Sequence, residues 1–276
     1  MSALLALLSS LLWGTSDFLG GVTTRRLPAL AVYGLSQLVG FAVLMAAATL
    51  TGGWSAEPGY WPWAVGASVL GMVAMLAFYR ALAIGPMGIV SPLVALSVLV
   101  PVTVSLLRGE QPEPIQVLGI IAAISGILLA SGPELSGAET AKPLVMAGIA
   151  ALGFGGMFVL MAEGSKHDPL MTMAGMRVTT MVIFAGVLVV ARNVGGATRA
   201  DALPLIVIGV FDAGANVTFG FATTLGMLST TAVLGDLYPV VTAVLAAIFL
   251  RERLRAVQYA GVATALTGVL LIAGGG

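Results

Sequence analysis

The chain has 276 residues, of which 59% are hydrophobic and only 9% are charged. A water-soluble domain carries about 25% charged residues, so most of this chain's surface must face lipid rather than water. Lysine and arginine together number 12, as do aspartate and glutamate, and the net charge of zero argues against a nucleic-acid partner. The chain has no cysteine, which excludes disulfides, thiolate metal sites and cysteine nucleophiles.

Apolar segments close to the length that crosses about 30 Å of hydrocarbon follow one another along the whole chain, separated by proline, glycine and charge clusters. The first segment lacks the basic start of a cleaved signal peptide, so we expect it to be retained. The pattern predicts an all-α membrane protein with ten transmembrane helices, at residues 3–21, 29–50, 62–84, 88–107, 114–131, 143–163, 170–191, 202–225, 229–250 and 255–273.

The two halves of the chain resemble each other weakly. A shift of 141 residues places Gly85 over Gly226, and a shift of 142 residues aligns four further pairs in order. These pairs are Glu110 with Glu252, Gln116 with Gln258, Gly119 with Gly261, and Gly126 with Gly268. Because each half holds an odd number of helices, the second copy enters the membrane from the opposite side, an inverted repeat typical of secondary transporters. We predict repeats at 1–131 and 143–276, joined by a polar linker at 132–142.

Basic residues concentrate on one side of the predicted bundle. The loops after odd-numbered helices hold Arg25, Arg26, Lys142, Arg192, Arg199, Arg251, Arg253 and Arg255. The positive-inside rule assigns this side to the cytoplasm, which predicts a multi-pass protein of the bacterial inner (plasma) membrane with both termini outside. The aromatic cluster within residues 54–63 would then lie at the outer membrane interface.

Five charged residues fall inside the predicted helices: Asp17, Arg80, Arg177, Asp212 and Asp236. A charge at the centre of a bilayer costs about 2.5–3.5 kcal/mol on insertion scales, so each needs a partner or a function. Depths counted from the helix ends pair Asp17 with Arg80 near the cytoplasmic boundary, and Arg177 with Asp236 nearer the outer one. Asp212, near the midplane, is left without a basic partner.

Desolvation favours the neutral form of an unpaired carboxylate and so allows it to bind and release a proton. We therefore predict Asp212 as the proton-coupling residue, with Asp236 as a second candidate. Asn216 lies one turn from Asp212 on the same helix face. The alternative interpretation is that all five charges form structural ion pairs that fix helix register.

Glycine and proline interrupt two helices at corresponding places in the halves, at Gly85-Pro86 before the fourth helix and at Gly235 and Pro239 in the ninth. Such interruptions indicate the binding site of a transporter, although a kink that only shapes packing is the alternative. Residues near these breaks and charges form the predicted substrate site: Trp13, Asp17, Tyr33, Gln37, Tyr79, Arg80, Ser91, Arg177, Asn216 and Tyr238.

No metal, cofactor or catalytic site is expected. The chain's one histidine, His167, has no second ligand nearby in sequence, and the chain contains neither an HExxH motif nor a P-loop. Small residues at four-residue spacing, in the fifth helix (Ala122, Gly126, Ala130) and in the tenth (Thr264, Gly268), allow close helix contact. We expect this contact within the bundle rather than between copies, and the protein to be a monomer or a homodimer.

Three segments carry a family resemblance: LLWGTSDFLGG in the first helix, ALAIGPMGIVSPL leading into the fourth, and LGDLYPVVTAVLAAIFLRERL at the end of the ninth. Together with the ten helices and the repeat, they resemble EamA-type members of the drug/metabolite transporter superfamily. The resemblance implies two inverted five-helix repeats around a central cavity, and export of amino acids or related small metabolites without ATP. Members mostly keep their termini inside, opposite to the charge bias of this chain.

Other functions fit these residues less well than metabolite export. Efflux of cationic drugs would favour acidic and aromatic residues without arginine, so Arg80 and Arg177 argue against it. Transport of sugar phosphates or nucleotide-sugars would need several cations in the cavity. An intramembrane enzyme lacks its usual motifs, and a passive scaffold would not need buried charges. The expected partners are therefore a small-molecule substrate and the lipid bilayer.

Overall fold

The computed structural model describes residues 1–84, 90, 93–130, 141–191, 197–250 and 255–274. Within these ranges, the side chains of residues 29, 30, 79, 82–84, 141 and 187–191 are not described.

The described residues form eleven α-helices. They are α1 (Ser2–Thr24), α2 (Ala29–Leu50), α3 (Trp61–Ile84), α4 (Leu99–Leu107), α5 (Pro114–Ala130), α6 (Ala141–Ser165), α7 (Pro169–Ala191), α8 (Ala202–Leu225), α9 (Leu228–Gly235), α10 (Tyr238–Phe249) and α11 (Ala256–Gly274). Eight segments are long and apolar enough to cross a membrane, and the shorter apolar helices Leu93–Leu107 and Pro114–Ala130 complete the predicted all-α bundle. Part of the predicted helix at 88–107 lies outside the described residues.

The helices pack in pairs that the two halves share. The third helix of the first half, α3, packs along the first helix of the second half, α6. In the same way, the third helix of the second half, α8, packs along the first helix of the first half, α1. Likewise α2 lies against α8, α3 lies against α7, and the two last helices, α5 and α11, pack on each other. This reciprocity is what two inverted five-helix repeats produce.

Glycines bring α5 and α11 into backbone contact. A Cβ atom added at Gly126 would overlap the backbone of Ala265, and one added at Gly268 would overlap the backbone of Ala123. Small residues at such a crossing let two membrane helices approach closely. The prediction of packing within the bundle is therefore confirmed for Gly126, Ala130 and Gly268.

The bundle has two chemically different ends. Helices α1 and α8 run antiparallel, since Ser9 Oγ donates to the Ala215 carbonyl (2.9 Å) and Ser16 Oγ to the Ile208 carbonyl (3.2 Å). One end, here named the arginine end, holds Arg25, Arg26, Arg199 and Arg255. The other, the amino-terminal end, holds Ser2, Arg108, Glu110, Glu163 and Lys166.

The predicted helix at 229–250 is broken into two. Helix α9 ends at Gly235, α10 begins at Tyr238, and Asp236 and Leu237 form the link between them. Pro239 lies in the first turn of α10, where its missing N–H is tolerated, but it leaves the Gly235 carbonyl without an i−4 donor. All eight residues of α9 are buried. The break predicted around Gly235 and Pro239 is therefore present.

Candidate functional site

A polar cluster joins three helices in the interior. Arg177 of α7 forms an ion pair with Asp212 of α8 and donates a hydrogen bond to Gln37 Oε1 of α2. Gln37 Nε2 donates to Asp212 Oδ2 (3.2 Å), and Asn216 Nδ2 donates to Asp212 Oδ1 (3.3 Å). Arg177, Gln37 and Asn216 are each less than a tenth exposed. Four of the predicted site residues thus form one hydrogen-bonded unit.

This cluster corrects the predicted pairing of Arg177 with Asp236. Helix α7 packs on α2, α3 and α8 and makes no extended contact with α9 or α10, so Arg177 faces Asp212 instead. The prediction that Asp212 has no basic partner was therefore wrong. The role of Asp212 in proton coupling was predicted from that missing partner, so it is no longer supported.

The predicted pair between Asp17 and Arg80 is also wrong. Helices α1 and α3 make no extended contact, and Arg80 is exposed near the end of α3. Asp17 lies instead close enough to Asp212 for the two carboxylates to interact electrostatically, and the same holds for Asp17 and Tyr238. Among the described residues, no arginine or lysine forms an ion pair with Asp17.

Asp17 is exposed although its neighbours in α1 are buried. Trp13, Gly14 and Ser16 all fall in the buried class, and Asp17 is about 10 Å from the end of α1 at 1.5 Å per residue. Beyond it, a Cβ atom added at Gly20 would meet nothing within 4 Å. A carboxylate inside the span of a membrane helix faces water or a partner rather than lipid. Asp17 therefore lies within the span of α1, close to Asp212 of α8 and to Tyr238 beside α10.

An aromatic cluster lies next to Asp17 on the side away from the arginine end. The Trp13 ring packs against Phe158 and Phe219 with centroids 5.6 Å apart in both cases, and against Tyr238 at 6.4 Å. Phe158 and Phe219 themselves are 5.0 Å apart. Trp13 and Tyr238 were predicted as site residues from the sequence, whereas the two phenylalanines were not. The four rings fill the interior of the bundle next to Asp17, on the side towards the amino-terminal end.

Gly14 sets the contact between α1 and α10 at this point. A Cβ atom there would lie 2.5 Å from Val241 Cβ and 2.7 Å from the Tyr238 carbonyl oxygen, which is too close for either. The Thr242 hydroxyl donates to the Gly14 carbonyl at 3.0 Å, which also requires close approach. Towards the arginine end the two helices diverge around an apolar groove of about 370 Å³ between Phe18 and Phe249.

We expect Gly14→Ala to destabilise the protein by about 1–3 kcal/mol, the usual cost of overpacking. Because the obstructing atoms include backbone, the helices must separate at Tyr238, so transport should fall as well. The measurement is the thermal midpoint of the purified protein in detergent. Gly20→Ala is the matched control in the same helix, since its Cβ has free space. Equal midpoints for both variants would contradict the close contact.

Asp236 is the most deeply enclosed carboxylate of the described chain. It is 1% exposed, and neither carboxylate oxygen has a hydrogen-bond partner among the described residues. The Ser97 side chain approaches it, but without the geometry of an ordinary hydrogen bond. Tyr238 is close enough to interact electrostatically. Asp236 therefore lies inside the bundle, as predicted, but without the predicted arginine.

The remaining predicted residues are only partly placed. Tyr33 is half-buried on α2, one turn before Gln37. The side chain of Tyr79 and the whole of Ser91 lie outside the described residues. Arg80 is separated from the polar cluster, as stated above.

The amino-terminal end is closed by contacts that the sequence analysis did not predict. Glu110 accepts hydrogen bonds from the backbone N–H of Leu228 (2.7 Å) and of Ser229 (3.0 Å), and from the Ser229 hydroxyl (2.7 Å). A carboxylate at the start of α9 is favoured by the helix dipole. Nearby, Glu163 pairs with Arg108 and Lys166 around a cleft of about 250 Å³. The alignment of Glu110 with Glu252 in the repeat was the available signal.

Comparisons with known proteins agree with this architecture. A model of the EamA-like transporter family matches residues 1–132 and residues 141–274, one match for each half. A solved structure titled "Crystal structure of protein" has the same fold, with a TM-score of 0.81 over 98% of this chain and 95% of its own, at 20% identity. No curated protein matches the chain. Since the family model covers nearly all of both halves, the chain belongs to the EamA-like transporter family.

Proposed function

We propose that the protein is a secondary exporter of small metabolites that carry an ammonium group, with amino acids as the first candidates. Family membership supports transport. The observation that carries the substrate class is the Asp17 carboxylate, which lies near Asp212 and Tyr238 and has no ion pair among the described residues. An ammonium group is the ligand that such a carboxylate binds best.

The charge balance of the site supports a cationic group on the substrate. The positive charge of Arg177 is compensated by its ion pair with Asp212, and Arg80 is not in the cluster. The described part of the site therefore leaves the Asp17 carboxyl group without a cation to balance it. Arg177 is the cation of the described cluster and is already paired with Asp212, so a sugar phosphate is a less suitable substrate.

The walls of the site suit the same ligand. Trp13 and Tyr238 present aromatic rings beside Asp17, and a cation close to the face of such a ring is attracted by it.

Efflux of organic cations without a carboxylate is the second candidate. It was disfavoured by the presence of two arginines in the membrane, but one of them is outside the cluster and the other is neutralised. The Asp17 carboxyl group without a balancing cation is the specific observation in favour of this class. The two candidates share the ammonium group and differ in whether a carboxylate is required.

We place the protein in the bacterial inner membrane, as a monomer or homodimer, with the arginine end in the cytoplasm, because positive charge is retained on that side. Both termini would then be outside. Asp17 is nearer the arginine end, and the Glu110 contacts close the opposite end. Substrate would therefore enter from the cytoplasm in this conformation, which is the direction of export.

The experiment is a thermal-shift screen of the purified protein, followed by counterflow of labelled hits in proteoliposomes. The panel holds amino acids, primary amines, a quaternary ammonium compound and sugar phosphates. Stabilisation and exchange by amino acids, but not by their deaminated analogues, would support the proposal. Exchange by amines lacking a carboxylate would select the second candidate. A response to the phosphorylated compounds alone would overturn both.

A further inference from the structure

Asp236 occupies an unusual position for a carboxylate. It lies in the non-helical link between α9 and α10, is 1% exposed, and offers two oxygens that receive no hydrogen bond from the described residues. A buried carboxylate anion without donors or a counter-ion is strongly disfavoured. Either a cation is bound to it in this conformation, or the group is neutral.

Within the described ranges, the surroundings of Asp236 offer no compensating positive charge. Of the helices packed against α9, α4 and α5 carry no titratable residue, α1 carries only Asp17 and α8 only Asp212. On its own segment the neighbour is Tyr238. Each of these groups is an acid, and Asp212 is already paired with Arg177. The described neighbours of Asp236 therefore supply no positive charge to balance an ionised carboxylate.

The packing favours a proton over a metal cation. A hard cation needs a shell of several oxygen ligands, whereas Ser97 is the one other oxygen-bearing side chain that the described residues bring up to the Asp236 oxygens. At the preceding residue, a Cβ atom added to Gly235 would come 3.0 Å from the Phe219 ring. A proton needs neither space nor further ligands.

From this geometry we propose that Asp236 is the proton-binding residue of the transport cycle. It holds a proton while α9 is packed as seen here, and releases it when the α9–α10 link meets water. The link is suited to such a change, since Pro239 leaves the Gly235 carbonyl free of the helical hydrogen bond. Tyr238 lies close to both Asp17 and Asp236 and so connects the two sites. The coupling role rests on the proposed function, because it requires transport.

Proton binding can be tested without any substrate. The unfolding equilibrium of purified protein in detergent is followed between about pH 6 and 9. If Asp236 is protonated when folded and ionised when unfolded, unfolding releases a proton, and the unfolding constant rises up to tenfold per pH unit from this group alone. Asp236→Asn removes that release. We expect its stability to depend less on pH than that of the wild type, and to exceed the wild type at the alkaline end.

Asp201→Asn is the matched control, because Asp201 is outside the membrane interior and bonds only to Thr198 in a turn. It should keep the pH slope of the wild type. A slope unchanged by Asp236→Asn would overturn the proposal. If that variant does not fold, Asp236→Leu, an apolar residue of similar size, takes its place under the same criterion.

The coupling is then measured in proteoliposomes. Asp236→Asn should keep substrate counterflow and lose accumulation driven by a pH gradient. Accumulation equal to that of the wild type would overturn the coupling role. Absence of any transport by the wild type would instead count against the proposed function, while the pH slope would still decide whether Asp236 binds a proton.

Discussion

Asp17→Asn is expected to reduce transport of ammonium-bearing substrates at least about thirtyfold. Asparagine keeps the shape of aspartate but removes the negative charge that would bind the ammonium group. A hydrogen bond to a charged group contributes about 1.5–3 kcal/mol, and about 2 kcal/mol corresponds to a factor of about thirty. The measurement is the initial rate of counterflow in proteoliposomes at several substrate concentrations.

The fold should tolerate this change, because Asp17 makes no ion pair among the described residues. The thermal midpoint of Asp17→Asn should therefore equal that of the wild type or exceed it. Asp201→Asn is the control for loss of an aspartate at the arginine end and should transport normally. Normal transport by Asp17→Asn would remove the carboxylate from the proposed site.

Breaking the pair of Arg177 and Asp212 is expected to destabilise the protein by about 3 kcal/mol. Removing one partner of a buried pair leaves an uncompensated charge, which costs about 3–5 kcal/mol, and the 22% exposure of the Asp212 side chain favours the lower limit. Arg177→Met and Asp212→Asn should each show this loss in thermal or denaturant unfolding. The double variant should recover most of it, because no charge is then left unpaired.

A double-mutant cycle separates this pair from a surface contact. Arg108 and Glu163 form the matched pair at the amino-terminal end, where the Arg108 side chain is 49% exposed. Exposed pairs contribute about 0.2–1 kcal/mol, so Arg108→Gln with Glu163→Gln should show a small coupling energy. A coupling of similar size for the two pairs would contradict the buried cluster.

The helices and the repeat could be predicted from the sequence because both depend on the order of residues along the chain. Apolar length determines which segments cross the membrane. The aligned glycines Gly126 and Gly268 both lie at the contact of α5 with α11. The break at Gly235 and Pro239 follows in the same way from the chemistry of proline.

The ion pairs could not be predicted in this way. Counting residues from a helix end gives depth in the membrane, but not which helices are neighbours. Asp17 and Arg80 have similar estimated depths, yet α1 and α3 do not pack together. Arg177 pairs with Asp212 because α7 packs on α8. Hydropathy along the chain gives no information about which helices are lateral neighbours.

The aromatic and capping residues were missed for a related reason. Phe158 and Phe219 are two of ten phenylalanines in an apolar chain, and nothing in their sequence neighbourhood separates them from lipid-facing ones. Glu110 falls in a short predicted loop, where a charge needs no explanation. Only the folded chain brings it to the first turn of α9.

The central claim is that Asp17 faces a water-filled site rather than lipid, and cysteine labelling tests it most directly. The chain has no cysteine, so Asp17→Cys and Leu11→Cys can each be made alone. Leu11 is 52% exposed on the same helix, and lipid should cover it. We expect a water-soluble, charged thiol reagent to modify Asp17→Cys readily, with protection by transported substrate, and to leave Leu11→Cys unmodified. Equal resistance of both cysteines to the reagent would contradict the proposed site.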